Sequence, residues 1–321
     1  MPATVKDLIA RYRPSLLISR PGKVYEDTSD FMRISYGDVV QLGGLHYLVL
    51  KDESERRFGI EDPKYWVKRS IVLETGERRI LKLVFHESFD MDVGPLKVRC
   101  YRSPEKEARI LDLVRGDERF MQGVWTVDEK GNNIRIIEVI SGRRLDEAVE
   151  EIDVEHKTYF FDLLPGILER FIGSCEAIEM IHVHGERHGD IRRDHLWLET
   201  RTERYRWIDF DYAYDFQENP YGLDLFGLGS ILIFLVGKGQ YTVTKIRTMG
   251  FGEEFFGSLF LNDFSLLFKN RFINLQRLFP YIPTELNRVL LHFSQGAEVF
   301  YETVEEFLED LRPCVRLIAR G

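Results

Sequence analysis

Apolar and polar positions alternate in short runs over the first half of this chain and take helical spacing over the second. Runs 38–42, 46–50, 64–74 and 79–85 are rich in β-branched and aromatic residues and read as strands. Gly43-Gly44 and Thr75-Gly76 supply turns between them, so an antiparallel sheet is expected. In the last run, period two puts Ile80, Lys82 and Val84 on one face and Leu81, Leu83 and Phe85 on the other. A lysine between two apolar neighbours is either an edge-strand residue with a solvated tip or a phosphate-pairing cation. Residues 104–114 form the next helix, with Ile110, Leu111 and Val114 as its apolar stripe. Glu107 falls at the edge of that stripe, within reach of the sheet, and Glu105 lies one register less favourably. Two more strands, 123–127 and 133–139, follow.

Beyond a crossover at 141–145, residues 158–182 read as helical, with Phe161, Leu164, Ile167, Leu168 and Phe171 on one face. Pro165-Gly166 is expected to kink or interrupt that helix. Two polar clusters come next, His188-Gly189-Asp190 and Asp209-Phe210-Asp211, joined by the strand-like runs Leu196-Trp197-Leu198 and Trp207-Ile208. A hairpin of this kind brings Asp190 and Asp209 to one end, where two carboxylates repel unless a divalent cation or a proton sits with them. His182, His184 and His188 have no cysteine nearby and read as packing or capping groups rather than zinc ligands. Residues 222–239 are nearly all apolar, as in a helix buried at the centre of a lobe, with Asp224 near its N-terminus. Residues 283–293 and 303–311 are amphipathic, and Thr303 with Glu306 makes a capping-box signature. The first 36 residues, helical over 5–12 and then broken by Pro14, Pro21 and Gly22, read as an N-terminal arm packed on the body.

Composition narrows the function. With 321 residues, 44% hydrophobic and 13% aromatic, the chain can bury a substantial core. A net charge of −9 argues against nucleic-acid binding through a basic surface, while leaving room for a local phosphate pocket. Cys100, Cys175 and Cys314 are scattered and odd in number, so neither a disulfide framework nor a CxxC zinc site is indicated. Charge comes too early for a signal peptide, and the longest apolar run is too short for a bilayer. A cytoplasmic protein with no membrane or nucleic-acid partner is expected.

The order of these parts resembles the protein-kinase-like superfamily. Lys82, Glu107, the hinge-like EVISGRRLDE, HGDIRRDH, IDFD and DLFGLG occur in that family's sequence order, from about residue 37 to the end. The resemblance implies an α+β, two-lobed fold: an arm over 1–36, an antiparallel β-rich N-lobe with one helix over 37–140, and a mainly helical C-lobe over 141–321. It also implies an ATP-dependent phosphotransferase acting on a hydroxyl, with Mg²⁺ or Mn²⁺ as the metal. Lys82 would hold the ATP phosphates while pairing with Glu107 in the cleft between lobes. Gly59, Glu138 and Ile140 would contribute to nucleotide binding. Asp190 would orient or deprotonate the acceptor, Arg192 would face the γ-phosphate, Asp209 would bind the metal, and Asp224 would brace the loop.

Several positions depart from the family pattern. No G-x-G-x-x-G loop is present, and Gly59 in SERRFGIED is the remaining candidate. Asp211 replaces the glycine of D-F-G, and Arg192 replaces a lysine. Residues 212–223 hold no Ser, Thr or A-P-E motif, and Phe300 or Tyr301 stands where the family has the arginine that pairs with that motif. Control by Ser/Thr phosphorylation of that segment is therefore not expected. His195 occupies the place of a metal-binding asparagine. It would either give the metal a softer ring nitrogen, favouring Mn²⁺, or hydrogen-bond the loop backbone. Two alternatives accompany the enzyme: a pseudokinase that binds nucleotide or scaffolds a partner, and a small-molecule kinase of the choline or aminoglycoside type. The acceptor, protein or small molecule, is not written in the sequence.

Overall fold

Cross-strand pairing organises the first half of the chain. The computed structural model describes residues 3–57, 60–93, 96–216 and 218–319. These divide into two compact units, one of residues 1–87 and 102–140, the other of residues 88–101 and 141–321.

The first unit carries a seven-stranded sheet in the order Val24–Tyr25, Val39–Leu42, Leu45–Arg57, Ile60–Val72, Arg78–Lys82, Asn133–Glu138, Gly123–Val127. Neighbours are antiparallel except for the first pair, which the N-terminal segment adds in parallel. One face buries Val40, Leu42, Val49, Val72, Leu81, Leu83, Ile134 and Ile136 in a single core. Val39, Leu48 and Leu73 instead share a cluster with Val5, Leu8 and Ile9 of the Val5–Tyr12 helix, so the first residues are built into this unit. That helix starts at a reciprocal cap, Thr4 accepting from the Asp7 N–H at 3.3 Å and Asp7 accepting from the Thr4 N–H at 3.0 Å.

Two strands run well past the expected ends. Leu45–Arg57 and Ile60–Val72 extend through the charged stretch after residue 50, where no apolar alternation marks a strand. Opposite charges stand across the ladder: Lys68 on Asp52 at 2.7 Å, Lys64 on Glu55 at 3.3 Å and Arg69 on Glu53 at 2.5 Å. Such cross-strand pairs stabilise the extension individually by about 0.2–1 kcal/mol. Gly59 lies outside the described residues.

In the second unit the Leu164–Val183 helix packs against the C-terminal Val304–Ile318 helix. The α-helical run is interrupted just ahead of Pro165, as expected: a π-helical turn, Tyr159–Leu163, precedes, and the Leu164–Val183 helix starts with the proline in its first turn. Thr303 caps the last helix by accepting the Glu306 N–H at 3.2 Å, but Glu306 reaches back to the Glu302 N–H rather than to Thr303. The Gly222–Val236 helix is almost wholly buried. Gly227 lets it lie against the loop bearing Asp190, because a Cβ there would meet Ile191 Cβ at 2.6 Å.

Residues 88–101, inside the span read as N-lobe, belong to this second unit. Their strands Ser88–Val93 and Leu96–Arg102 form a hairpin that joins Tyr212–Asp215 in a three-stranded sheet. Val93, Val98 and Cys100 pack there with Tyr214 and Leu223. Among the described residues no helix is long and apolar enough to cross a membrane.

Candidate active site

Lys82 closes the Arg78–Lys82 strand, one strand in from Asn133–Glu138, and is only 4% exposed. The edge-strand reading with a solvated tip therefore does not hold. Its Nζ donates to Glu107 Oε1 at 2.7 Å. Glu107 stands on the Pro104–Leu113 helix, whose N-terminus is fixed by Ser103 accepting the Lys106 N–H at 3.2 Å. The carboxylate is fully buried, so it requires cationic partners. It has two, because Arg135 Nε donates to Oε2 at 3.0 Å. Sequence reading missed Arg135; the available signal was a charge flanked by isoleucines in the strand-like run NIRIIE. Glu138, at the end of that strand, accepts the Gln122 N–H at 2.8 Å, and Ile140, the last residue of the first unit, is half-buried.

The second unit holds the acidic clusters. Strands Leu196–Glu199 and Tyr205–Trp207 pair antiparallel with Leu196 opposite Trp207, and the Ile208 N–H donates to the His195 carbonyl at 3.0 Å. This register brings the residues just outside the hairpin together. His195 Nδ1 lies 3.4 Å from Asp190 Oδ2, and Nε2 lies 3.5 Å from Asp209 Oδ2. The imidazole thus stands between the two carboxylates. Nε2 is also 3.1 Å from Arg192 Nη2, which can only donate, so when the ring is neutral Nε2 accepts and Nδ1 carries the proton. That Nδ1–H donates to the Asp190 carbonyl at 2.9 Å. Asp209 adopts a φ of 63°, the left-handed region that aspartate tolerates better than most residues.

Arg192 forks onto Asp194, Nη2 to Oδ2 at 2.7 Å and Nε to Oδ1 at 3.2 Å, while Asp190 Oδ1 lies 3.8 Å from Nε. Asp194 was not singled out from the sequence. Burial works against its charge, yet His195 and Arg192 hold its pKa below the ordinary value. Asp190 shows the opposite balance. Burial pushes its pKa up, with Asp209 and Asp211 adding to the rise, and the pull of His195 and Arg192 does not cancel it.

Asp224 braces this loop from the start of its helix. Oδ2 accepts the His188 N–H at 2.7 Å, Oδ1 accepts the Gly189 N–H at 2.8 Å, and His182 Nε2 lies 3.0 Å from Oδ2. Gly189 turns there at a φ of 87°, a conformation glycine enters without strain. Asp224 is 1% exposed. Burial alone would raise its pKa, but the His182 hydrogen bond and charge, with His188 and the Gly189 N–H, bring it below the ordinary value. His182 and His188 thus serve the loop as packing and hydrogen-bonding groups.

Strand order in the first unit and helices around a braced acidic loop in the second define a protein-kinase-like fold. Among solved structures, a double-substitution variant of the PknI kinase domain from Mycobacterium tuberculosis aligns with 88% of this chain and 100% of that one. The TM-score is 0.51 at 12% sequence identity. Another PknI kinase-domain structure covers 85% of this chain and 97% of its own, with a TM-score of 0.49 at 13% identity. Rad53 residues 1–466 in complex with AMP-PNP covers 78% and 61%, with a TM-score of 0.48 at 15% identity. No family model matches the sequence, and no curated protein does.

Proposed function

We propose that this protein is an ATP-dependent phosphotransferase that transfers the γ-phosphoryl group to a hydroxyl. The observation that carries the reading is the buried Lys82–Glu107 pair, a cation held at fixed length on a strand end in a kinase-like fold. In this reading Lys82 neutralises nucleotide phosphates, Asp190 receives the acceptor proton, and Asp209 supplies hard oxygens to a divalent cation. Mg²⁺ or Mn²⁺, when bound, offsets charge on the phosphates. Turnover of ATP with hydroxyl acceptors, in the parent and in Lys82→Met, tests it. A loss of about 10²-fold in kcat/KM is expected in the variant. A parent that binds ATP but never consumes it would instead establish the pseudokinase alternative.

The donor set bears on the metal. Asp209 fits a hard cation, whereas both His195 nitrogens have protein partners, which supports the loop-backbone role for His195. His195→Asn is therefore expected to leave the preference between Mg²⁺ and Mn²⁺ unchanged in nucleotide-binding titrations. A parent that prefers Mn²⁺ and a variant that prefers Mg²⁺ would make the imidazole a ligand.

A small-molecule acceptor is favoured over a peptide by one feature. Tyr212–Asp215, the segment after IDFD, is a strand engaged with the 88–101 hairpin, and Tyr214 is fully buried there. The stretch from Tyr212 to Leu223, which carries this strand and leads into the Gly222–Val236 helix, holds no Ser, Thr or A-P-E motif and is short for a peptide-docking platform.

A further inference from the structure

Register brings a second cation to Glu107. Arg135 lies directly across from Lys82 in the antiparallel pairing of Arg78–Lys82 with Asn133–Glu138, so both side chains leave the sheet on one face. Each takes one carboxylate oxygen, Lys82 at 2.7 Å and Arg135 at 3.0 Å. The rest of the guanidinium is tied to the sheet's own backbone: Nη1 donates to the Asn133 carbonyl at 2.6 Å and Nη2 to the Leu83 carbonyl at 3.4 Å. Arg135 is 2% exposed. A planar fork anchored at three points cannot follow the Pro104–Leu113 helix if that helix shifts. Shifting would instead strand a buried charge on each side.

We propose that Arg135 is a positioning residue that seats Glu107, and with it the Pro104–Leu113 helix, against the sheet independently of Lys82. In a two-membered pair, a lysine drawn toward a phosphate leaves a buried carboxylate uncompensated. Here Glu107 keeps Arg135 when Lys82 turns to an anion. This consequence rests on the phosphate-pairing reading of Lys82; the seating of the helix does not.

Amide hydrogen exchange of residues 108–113 in the full chain, without nucleotide, tests the seating. In Lys82→Met these amides are expected to exchange within about threefold of the parent, because Glu107 retains Arg135. In Arg135→Met they should exchange about 100-fold faster. Arg135→Lys restores the charge without the fork, and its rates should fall between. Exchange in Lys82→Met as fast as in Arg135→Met would overturn the proposal, as would unchanged exchange in Arg135→Met. Should Arg135→Met fail to fold, the comparison of Lys82→Met with Arg135→Lys decides alone: faster exchange in Lys82→Met than in Arg135→Lys overturns it. No nucleotide enters this measurement, so its failure is separate from failure of the phosphotransferase reading, which turnover reports.

Discussion

Asp190→Asn is expected to slow phosphoryl transfer by about 10²–10⁴-fold while leaving nucleotide affinity unchanged. The substitution keeps the shape of the side chain and removes the group that accepts the acceptor's proton. The His195 hydrogen bond goes to the Asp190 carbonyl, so the loop geometry survives the change. The pH profile supplies a second check. Only the ionised carboxylate can act as the base, and burial lifts its pKa above the ordinary 3.8. The acid limb of kcat/KM in the parent should therefore lie above that value, with activity rising as pH increases through it. Steady-state rates across the acid range, together with nucleotide titrations, measure both. A variant retaining about a tenth or more of the parent rate would remove Asp190 from the chemistry.

Asp224→Ala should lower stability by about 3–5 kcal/mol, read as a fall in the urea midpoint at neutral pH. The cost comes from the partners left behind. The His188 and Gly189 N–H groups and His182 Nε2 all lose an acceptor in a site closed to water. The same interactions set an acid dependence. Because the folded pKa of Asp224 lies below its ordinary 3.8, its contribution is present in full above that value and lost as pH falls through the folded one. Stability of the parent should thus decline below about pH 4, and Asp224→Ala should show a shallower decline there. Equal slopes in the two proteins would show that the carboxylate is not differentially stabilised by folding.

The sequence alone determined the elements whose pattern is local. Period two placed Lys82 between apolar positions but left its burial open, helical spacing turned Glu107 toward the sheet, and the run after Asp224 read as a buried helix. The hairpin between Leu196 and Trp207 was legible for the same reason, and with it the approach of Asp190 to Asp209. The charged stretch after residue 50 was not legible as strand, because what holds it extended is a set of charges on the opposite strand. Nor could local pattern assign residues 88–101 to the second unit, since their partner strand begins at Tyr212. The fork of Arg192 on Asp194 and the aim of each His195 nitrogen depend on rotamers that spacing leaves open. Arg135 shows the distinction most directly. A charge in an apolar strand signals a buried partner, but which partner is set by the register of two strands about fifty residues apart, and only the folded sheet fixes that register.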